Sequence, residues 1–340
     1  MRSDETLAEY DLRADEVDEL LTLVKRLRGA IESPRETGFY DHNWDAVEQL
    51  PAGLRRFLER VRRTESCAAG VVRGFPVDHS MIGPTPPHWA ASNGSDSTLD
   101  GELFLALCSM ALGEPFTWAT LQYGRIVQNI LPIAGDEKRQ NGHGSEALLE
   151  FHTEDSFHPE RCDYLLLLGL RNNDRVPTTV ASIRDVVLSP ADREILAQPR
   201  FYILPDDEHI RQLQLHDPDH PALGQALRMR DRPQPVAVLF GNPDRPYIRI
   251  DRPFMHCGEN DVAAERALDR LMTELERVKR DIVIEAGELL IVDNYAAVHG
   301  RRAFRSRYDG TDRWLKKMTV LRNLRRGATT SAAMDHRVRI

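Results

Sequence analysis

Two histidines and a glutamate stand at a spacing that suits a transition-metal site. His152 and Glu154 are separated by a single residue, and His299 follows the segment 292–295. Two imidazoles and one carboxylate can occupy one face of Fe(II) and leave three coordination positions open for oxygen chemistry. We therefore predict that these three residues bind a metal ion.

The positions of these residues support the prediction more than their types do. Since the chain has twelve histidines, about one His-x-Glu pair is expected by chance, and a lone histidine is more often a satisfied core residue. His152, however, follows the mostly apolar segment 148–151, and side chains two residues apart point to the same side of an extended chain. His299 comes just after the predicted strand 289–292, in a loop that Gly300 closes. A jelly roll can bring two such strand ends together at its mouth.

Arg313 is a candidate anchor for an acidic co-substrate. It lies fourteen residues beyond His299 and directly before a predicted strand. A guanidinium can bind a carboxylate through two parallel hydrogen bonds, and the distal end of 2-oxoglutarate offers such a carboxylate. The alternative is a surface cation in the turn 308–312. With the three predicted ligands in register, we favour the anchor.

Composition excludes several classes of protein. A chain of 340 residues, 41% hydrophobic and 29% charged, is typical of a globular protein with a large core, and we predict a single domain over 1–340. A formal net charge of −8 argues against a nucleic-acid partner. The basic run 322–326 is interpreted as a solvated charge run, with a docking patch as the alternative. No signal peptide and no apolar run of roughly 20 residues is found, which favours a cytoplasmic protein without a membrane partner.

The four cysteines form no C-x-x-C pair, so neither a zinc-thiolate site nor a disulfide framework is indicated.

Hydrophobic periodicity predicts a mainly β protein flanked by helices. Helices are expected at 11–28, at 54–63, from an N-cap at Ser97 to Leu112, and at 261–279. Short strands are expected at 116–121, 164–170, 178–183, 201–204, 236–240, 247–250, 282–284, 289–292 and 314–321. Many short strands separated by turns indicate a sandwich or barrel.

We interpret the whole as a double-stranded β-helix, or jelly roll, with an N-terminal helical flank. The flank covers 1–112, the jelly-roll core covers 113–325, and a tail covers 326–340. The polar insertion 198–231 is predicted to act as a lid.

Several segments of the chain resemble the clavaminate synthase-like Fe(II)/2-oxoglutarate oxygenases, especially those that hydroxylate free amino acids such as arginine, enduracididine and asparagine. The likeness runs from about residue 70 to residue 322. It is carried by 152–159, 163–164, 203–207, 238–241, 246–251, 293–295, 299–300 and 304–313.

The resemblance implies an iron site and a 2-oxoglutarate site. It implies His152, Glu154 and His299 as iron ligands, and Arg313 as the clamp for 2-oxoglutarate. A threonine hydroxyl on the co-substrate is also implied, either Thr178 or Thr179, with Thr179 preferred. Halogenating relatives lack the carboxylate ligand. Because Glu154 is present, O2-dependent hydroxylation or desaturation is expected.

The resemblance also nominates contacts to an amino acid substrate. Gln122 and the second oxygen of Glu154 would meet its amino end. Lys317, four residues after Arg313, would bind its carboxylate at a position where arginine hydroxylases have Arg. The alternative is a lysine on the face of the sheet.

The distal group of the substrate is expected to meet acidic residues. Asp251 matches an acid of this kind, and Asp206 or Asp207 matches an acid carried by the lid; otherwise Asp251 is a turn aspartate before a proline. Pro253 stands where arginine and lysine hydroxylases have a second Asp, which places arginine itself in question.

The predicted function is hydroxylation at Cβ of arginine, or of a guanidino or ureido relative such as enduracididine or citrulline, in antibiotic biosynthesis. Attack at Cγ, desaturation, or action on lysine or asparagine stays open. Rivals from other classes are a non-catalytic cupin-like metal-binding protein and a zinc hydrolase. The remaining polar-loop histidines, His158, His209, His216, His220 and His256, are not expected to bind metal.

Overall fold

The structure is a computed structural model that describes residues 5–29, 32–92, 96–324 and 335–339. The helices are α1 (Ala14–Leu27), α2 (Gly38–His42), α3 (Ala52–Thr64), α4 (His79–Ile82), α5 (Leu99–Leu112), α6 (Pro190–Leu196), α7 (Asp207–His216), α8 (Pro221–Asp231) and α9 (Val262–Val278). The strands are β1 (Glu5–Asp11), β2 (Cys67–Arg73), β3 (Glu114–Trp118), β4 (Gln128–Ile130), β5 (Leu149–His152), β6 (Tyr164–Arg171), β7 (Pro177–Ser182), β8 (Phe201–Ile203), β9 (Pro235–Val236), β10 (Leu239–Asn242), β11 (Arg245–Ile248), β12 (Met255–Cys257), β13 (Arg280–Val283), β14 (Leu289–Asp293), β15 (Ala297–Arg301), β16 (Trp314–Leu321) and β17 (Val338–Arg339).

Two sheets pack face to face at the centre of the molecule. The larger has the order β1-β2-β14-β6-β16-β3-β17, with β4 also paired to β16, and the smaller has the order β13-β7-β15-β5. Leu165 and Leu315 from the larger sheet meet Val180 and Ile282 from the smaller one in a single apolar cluster. Alternate side chains of both sheets therefore fill the space between them. The predicted jelly-roll core is confirmed.

Helices cover the outer faces of both sheets. Helix α1 presents Leu20, Leu23, Val24 and Leu27 on one side, a spacing of threes and fours that gives a helix one apolar face. With α3 and α5, this face buries Leu166 and other outward residues of the larger sheet. Helix α9 packs in the same way on the smaller sheet. Burial on both faces makes the sheets a rigid support for side chains at their edges.

The N-terminal region differs from the predicted helical flank. Strand β1 pairs in parallel with β2, and β2 pairs with β14, so both extend the larger sheet. Neither strand was predicted. Because β1 occupies residues up to Asp11, helix α1 begins at Ala14. Helix α5 begins at Leu99 with Thr98 as its N-cap, not Ser97 as predicted.

Regular structure is found in one predicted loop and in the predicted insertion. His299 lies inside β15, where both neighbouring strands pair with it, so the predicted loop at this position is wrong. The insertion 198–231 begins with β8, which pairs with β12 and β9, and becomes helical only from α7 onward. Residues 325 and 326 of the basic run lie outside the described residues, whereas β17 of the predicted tail joins β3. No helix in the described ranges is both long and apolar enough to cross a membrane.

Candidate metal centre and substrate cavity

The pairing of β5 with β15 places His152 and His299 side by side. The two residues are direct partners across the antiparallel ladder, and their ring centroids are 4.2 Å apart. β15 also pairs with β7 on its other side, where His299 lies opposite Val180. Backbone hydrogen bonds on both sides of the strand therefore hold His299 in place.

Glu154 completes a cluster that suits a divalent metal. Its Oε2 lies 3.3 Å from Nε2 of His299 and 4.0 Å from Nε2 of His152. One ligand atom from each of the three residues lies within 4.8 Å of the others. These distances fit two imidazole ligands and one carboxylate oxygen around one ion.

The protonation of the cluster also fits metal binding. Nδ1 of His152 donates to the carbonyl oxygen of Glu150 at 2.9 Å, which leaves the Nε2 lone pair facing Glu154; metal-binding histidines are commonly oriented in this way. Burial, together with nearby His299, lowers the pKa of His152 to about 4. Burial disfavours the charged form of Glu154, but Lys317 and His299 hold its pKa well below the usual value. A neutral imidazole and an ionised carboxylate are the ligand forms that a metal requires.

Two buried guanidiniums occupy one part of the cavity beside the cluster. Arg313 donates from Nη2 to Oγ1 of Thr178 at 2.9 Å, and its Nε has no hydrogen-bond partner among the described atoms. Arg301 donates to the carbonyl oxygens of Gly144 and Ala147. Burial, with a contribution from Arg301, lowers the pKa of Arg313 to about 9. Within the described residues neither guanidinium forms an ion pair, so this part of the cavity favours an anionic ligand.

Of the two candidate threonines, the geometry favours Thr178. Thr178 lines the cavity and accepts the hydrogen bond from Arg313. Thr179 is the next residue of β7 and does not line the cavity, because successive side chains of a strand point to opposite faces. We therefore favour Thr178 over Thr179, the residue preferred from the sequence.

Lys317 and Gln122 both line the cavity, and both already have protein partners. Lys317 Nζ forms an ion pair with Oε1 of Glu154, the oxygen that faces away from the histidines. An ammonium has three donors, and Lys317 uses one of them within the described part of the chain. Gln122 exchanges two hydrogen bonds with the backbone of Asn129. Its second amide hydrogen has no partner among the described residues.

Two aspartates form an acidic part of the cavity. Asp251 accepts a hydrogen bond from Ser156 at 3.1 Å, and its backbone forms a bridge with His152. Burial and the nearby Asp206 raise the pKa of Asp251 well above its usual value. Asp206 lines the same cavity, whereas Asp207 is exposed and does not. Among the described residues neither Asp206 nor Asp251 forms an ion pair. Of the two lid candidates, Asp206 is therefore the one beside the ligand space.

Helix α7 closes one side of the cavity. Its residues Glu208 and Gln212 line the cavity, and Gln212 accepts a hydrogen bond from the backbone of Gln122 at 2.6 Å. His209 lies 3.1 Å from Asp155, the residue after Glu154. His158, His209, His216, His220 and His256 do not belong to the metal cluster found in the described residues. His209 instead connects the helix to the segment that carries Glu154.

Sequence reasoning missed Arg301 and Asn294. Arg301 stands two residues after His299, so strand alternation would have placed it on the cavity side if β15 had been predicted. Asn294 lies in the turn before β15, and its amide binds the backbone of Glu154. No spacing rule identifies a contact of that kind.

Comparison with known proteins gives three consistent matches. Residues 111–319 match the family model described as taurine catabolism dioxygenase TauD, TfdA family. The enduracididine beta-hydroxylase of Streptomyces hygroscopicus is 39% identical over 339 residues, covering 96% of this chain and 98% of that protein. The L-ornithine/L-arginine 3-hydroxylase of Catenulispora acidiphila is 38% identical, covering 86% of this chain and 88% of the relative.

A solved structure is similar over almost the whole fold. The crystal structure of the non-heme iron oxygenase OrfP in complex with Fe, succinate and (3S)-hydroxy-L-Arg matches with a TM-score of 0.89 at 37% identity. The match covers 97% of this chain and 99% of that one.

Proposed function

Because the chain belongs to the TauD/TfdA family of dioxygenases, we propose that it is an Fe(II)- and 2-oxoglutarate-dependent hydroxylase of a free amino acid with a cationic side chain. His152, Glu154 and His299 would hold the iron. When bound, iron and 2-oxoglutarate supply the oxidising chemistry that places one oxygen atom of O2 in a C–H bond and the other in succinate, with release of carbon dioxide. The relatives named above act on, or bind, amino acids of this kind.

One observation supports the proposal most: the cavity around the metal cluster has a cationic part and an anionic part. In the part of the chain that the structure describes, Arg301 and Arg313 form no ion pair with an acid, and Asp206 and Asp251 form none with a base. Unpaired buried charges are costly, so two ligands of opposite charge would relieve both costs. A dicarboxylate suits the arginines, and a cationic side chain suits the aspartates.

The protein's own residues would then bind and orient the two ligands. Arg313 would hold the distal carboxylate of 2-oxoglutarate, with Thr178 beside it. The two donors of Lys317 that have no partner among the described residues would face a substrate carboxylate, and Oε1 of Glu154 would face its ammonium. A zwitterionic head group would thus lie antiparallel to the Lys317–Glu154 pair, and Asp206 and Asp251 would receive the far end. Such orientation accounts for much of what a protein contributes to cofactor chemistry.

The reacting carbon is proposed to be Cβ, on arginine or a guanidino relative. Support comes from the β- and 3-hydroxylase names of the two relatives and from the two carboxylates at the far end. Pro253 lines the cavity beside Phe254. The resemblance to arginine hydroxylases predicts a second aspartate at the position of Pro253. A cytoplasmic location stays a prediction of the sequence analysis.

The test is a screen of amino acids for coupled succinate release with iron and 2-oxoglutarate present. L-arginine, L-ornithine and L-lysine are compared with neutral L-citrulline and L-asparagine, and the product mass is measured. We expect the cationic amino acids to be preferred and their products to carry one added oxygen. Faster turnover of citrulline than of every cationic amino acid would contradict the assignment of the acidic end. Activity with zinc that needs no oxygen would favour a hydrolase, and metal binding without turnover of any amino acid would favour a cupin-like binding protein.

A further inference from the structure

Asn294 connects the turn before β15 to the segment that carries Glu154. Its side chain is completely buried. Oδ1 accepts the backbone N–H of Glu154 at 2.7 Å, and Nδ2 donates to the carbonyl oxygens of Glu154 and Cys162, each at 3.0 Å. Its own backbone N–H donates to the carbonyl oxygen of Asp163 at 2.9 Å. Every one of these bonds ends in the segment 154–163.

The metal cluster needs such a connection because its three ligands lie on two separate segments. The ladder between β5 and β15 fixes His152 against His299. Glu154 lies beyond the end of β5, and its backbone N–H bonds to Asn294 instead of to a neighbouring strand. The amide of Asn294 is thus the contact that joins the backbone of Glu154 to the hairpin of β14 and β15.

We propose that Asn294 is a positioning residue for the metal centre, which fixes the backbone of Glu154 relative to the strand that carries His299. This inference rests on the proposed function, since it requires a metal ion held by the three ligands. Residues that orient metal ligands through hydrogen bonds typically change metal affinity by about 10- to 100-fold when they are removed. A purely structural role would lower stability and leave metal affinity unchanged.

The chain contains a matched control for this role in Asn172. Its Oδ1 accepts the backbone N–H of Val176 at 2.9 Å, and its Nδ2 donates to the carbonyl oxygens of Val176 and Ile284 at 3.0 and 3.2 Å. Asn172 is buried and lies between β6 and β7. Both asparagines therefore make one accepting and two donating bonds to backbone groups, but Asn172 binds none of the segments that carry the metal ligands.

The experiment measures Co(II) affinity and thermal unfolding of the metal-free full chain and its variants. Asn294→Ala and Asn172→Ala should both unfold at lower temperature than the wild type. Only Asn294→Ala should weaken Co(II) binding, by about 10- to 100-fold. Equal Co(II) affinities of these two variants would overturn the proposal. Should Asn294→Ala not fold, Asn294→Ser and Asn172→Ser replace the pair, with the same expected difference.

His299→Ala distinguishes failure of this inference from failure of the proposed function. We expect wild-type protein to bind Co(II) far more tightly than His299→Ala. If the two bind Co(II) equally, the metal site itself is refuted, and the role of Asn294 with it. If His299→Ala loses Co(II) binding but Asn294→Ala binds Co(II) as tightly as Asn172→Ala, only the role of Asn294 is refuted.

Discussion

Arg313 and Asp251 in the cavity differ from the paired charges that are buried in the helical layer. In the helical layer, Glu102 is buried but forms ion pairs with Lys316 at 2.7 Å and with Arg35 at 2.5 Å. Within the described residues, Arg313 and Asp251 have no such partners. Because burying an unpaired charge costs several kcal/mol, these side chains are better explained by binding than by folding.

Thr178 and Thr179 provide a matched pair for the co-substrate site. Thr178→Ala removes the hydroxyl that contacts Arg313, and one hydrogen bond to a charged group contributes about 1.5 to 3 kcal/mol. We expect the KM for 2-oxoglutarate to rise roughly 10- to 100-fold, with the KM for the amino acid little changed. Thr179→Ala should leave the KM for 2-oxoglutarate near the wild-type value. A larger rise in that KM for Thr179→Ala than for Thr178→Ala would restore the original preference for Thr179.

Asp206 and Asp207 provide a second matched pair, for the substrate's distal charge. Asp206 caps α7 by accepting from the backbone N–H groups of Glu208 and His209. Asparagine can keep these bonds while removing the charge. Asp206→Asn should therefore raise the KM for a cationic amino acid by about 10-fold or more, whereas Asp207→Asn should not. An unchanged KM for Asp206→Asn would remove this residue from the substrate site.

Asp293 should make stability depend on pH. Burial raises its pKa from 3.8 to about 6. The unfolded chain therefore ionises first as pH rises, and the native state is penalised fully above about pH 6 and not at all below about pH 4. Asp293→Asn retains the oxygen that accepts from Tyr295 and Ala296. At about pH 8 the variant should gain up to about 3 kcal/mol of unfolding free energy, measured by urea denaturation. The same gain in unfolding free energy at about pH 4 would contradict an origin in the ionisation of Asp293. Asp207→Asn is the control, at an exposed position.

At the residue level, the sequence was enough to select side chains whose roles follow from their chemical type and their spacing. His152, Glu154, His299 and Arg313 could be selected because metals and carboxylates demand those groups. Their roles stay predictions until the variants are measured. The sequence alone could not decide between Thr178 and Thr179, because the strand register determines which of two adjacent side chains faces the cavity. The pairing of Lys317 with Glu154 also depends on how the folded strands meet.

At the level of elements, strand pairing determines the metal cluster. The sequence around His299 gave little strand signal, since Gly300 suggested a turn. β15 forms because strands on both sides supply hydrogen-bond partners. Tertiary pairing of this kind overrides local propensity. β1 and β2 were missed for a related reason, since the partners that define β2 come from β1 and from the distant β14.

The contact between α7 and the segment 131–148 should control closure of the cavity. Arg211 on α7 binds Asp136 at 2.8 Å, and Glu208 accepts from Asn141 at 2.9 Å. Arg211→Met should increase chymotrypsin cleavage within 198–231 and raise the KM for the amino acid several-fold, because an open lid admits water and lowers substrate retention. The control is Arg228→Met, at an exposed position of α8. Equal cleavage of both variants would argue against a lid held by Arg211.

At the level of the whole molecule, the layered arrangement follows from hydrophobic patterning. Strands with alternating or fully buried faces and amphipathic helices dictate a sandwich with helices outside, and this much was predictable. The addition of N-terminal and C-terminal strands to the larger sheet was not. Since β1 and β17 both belong to that sheet, we propose that the chain folds as a single oxygenase domain.

The most direct test of the central claim follows the oxygen atoms of labelled O2. The protein is supplied with Fe(II), 2-oxoglutarate and the best amino acid from the screen, and both products are analysed by mass spectrometry. The account predicts one heavy oxygen atom in the hydroxylated amino acid and one in succinate, in equal amounts, with neither product formed by His299→Ala. Label-free products, or succinate release that does not depend on the amino acid, would contradict it.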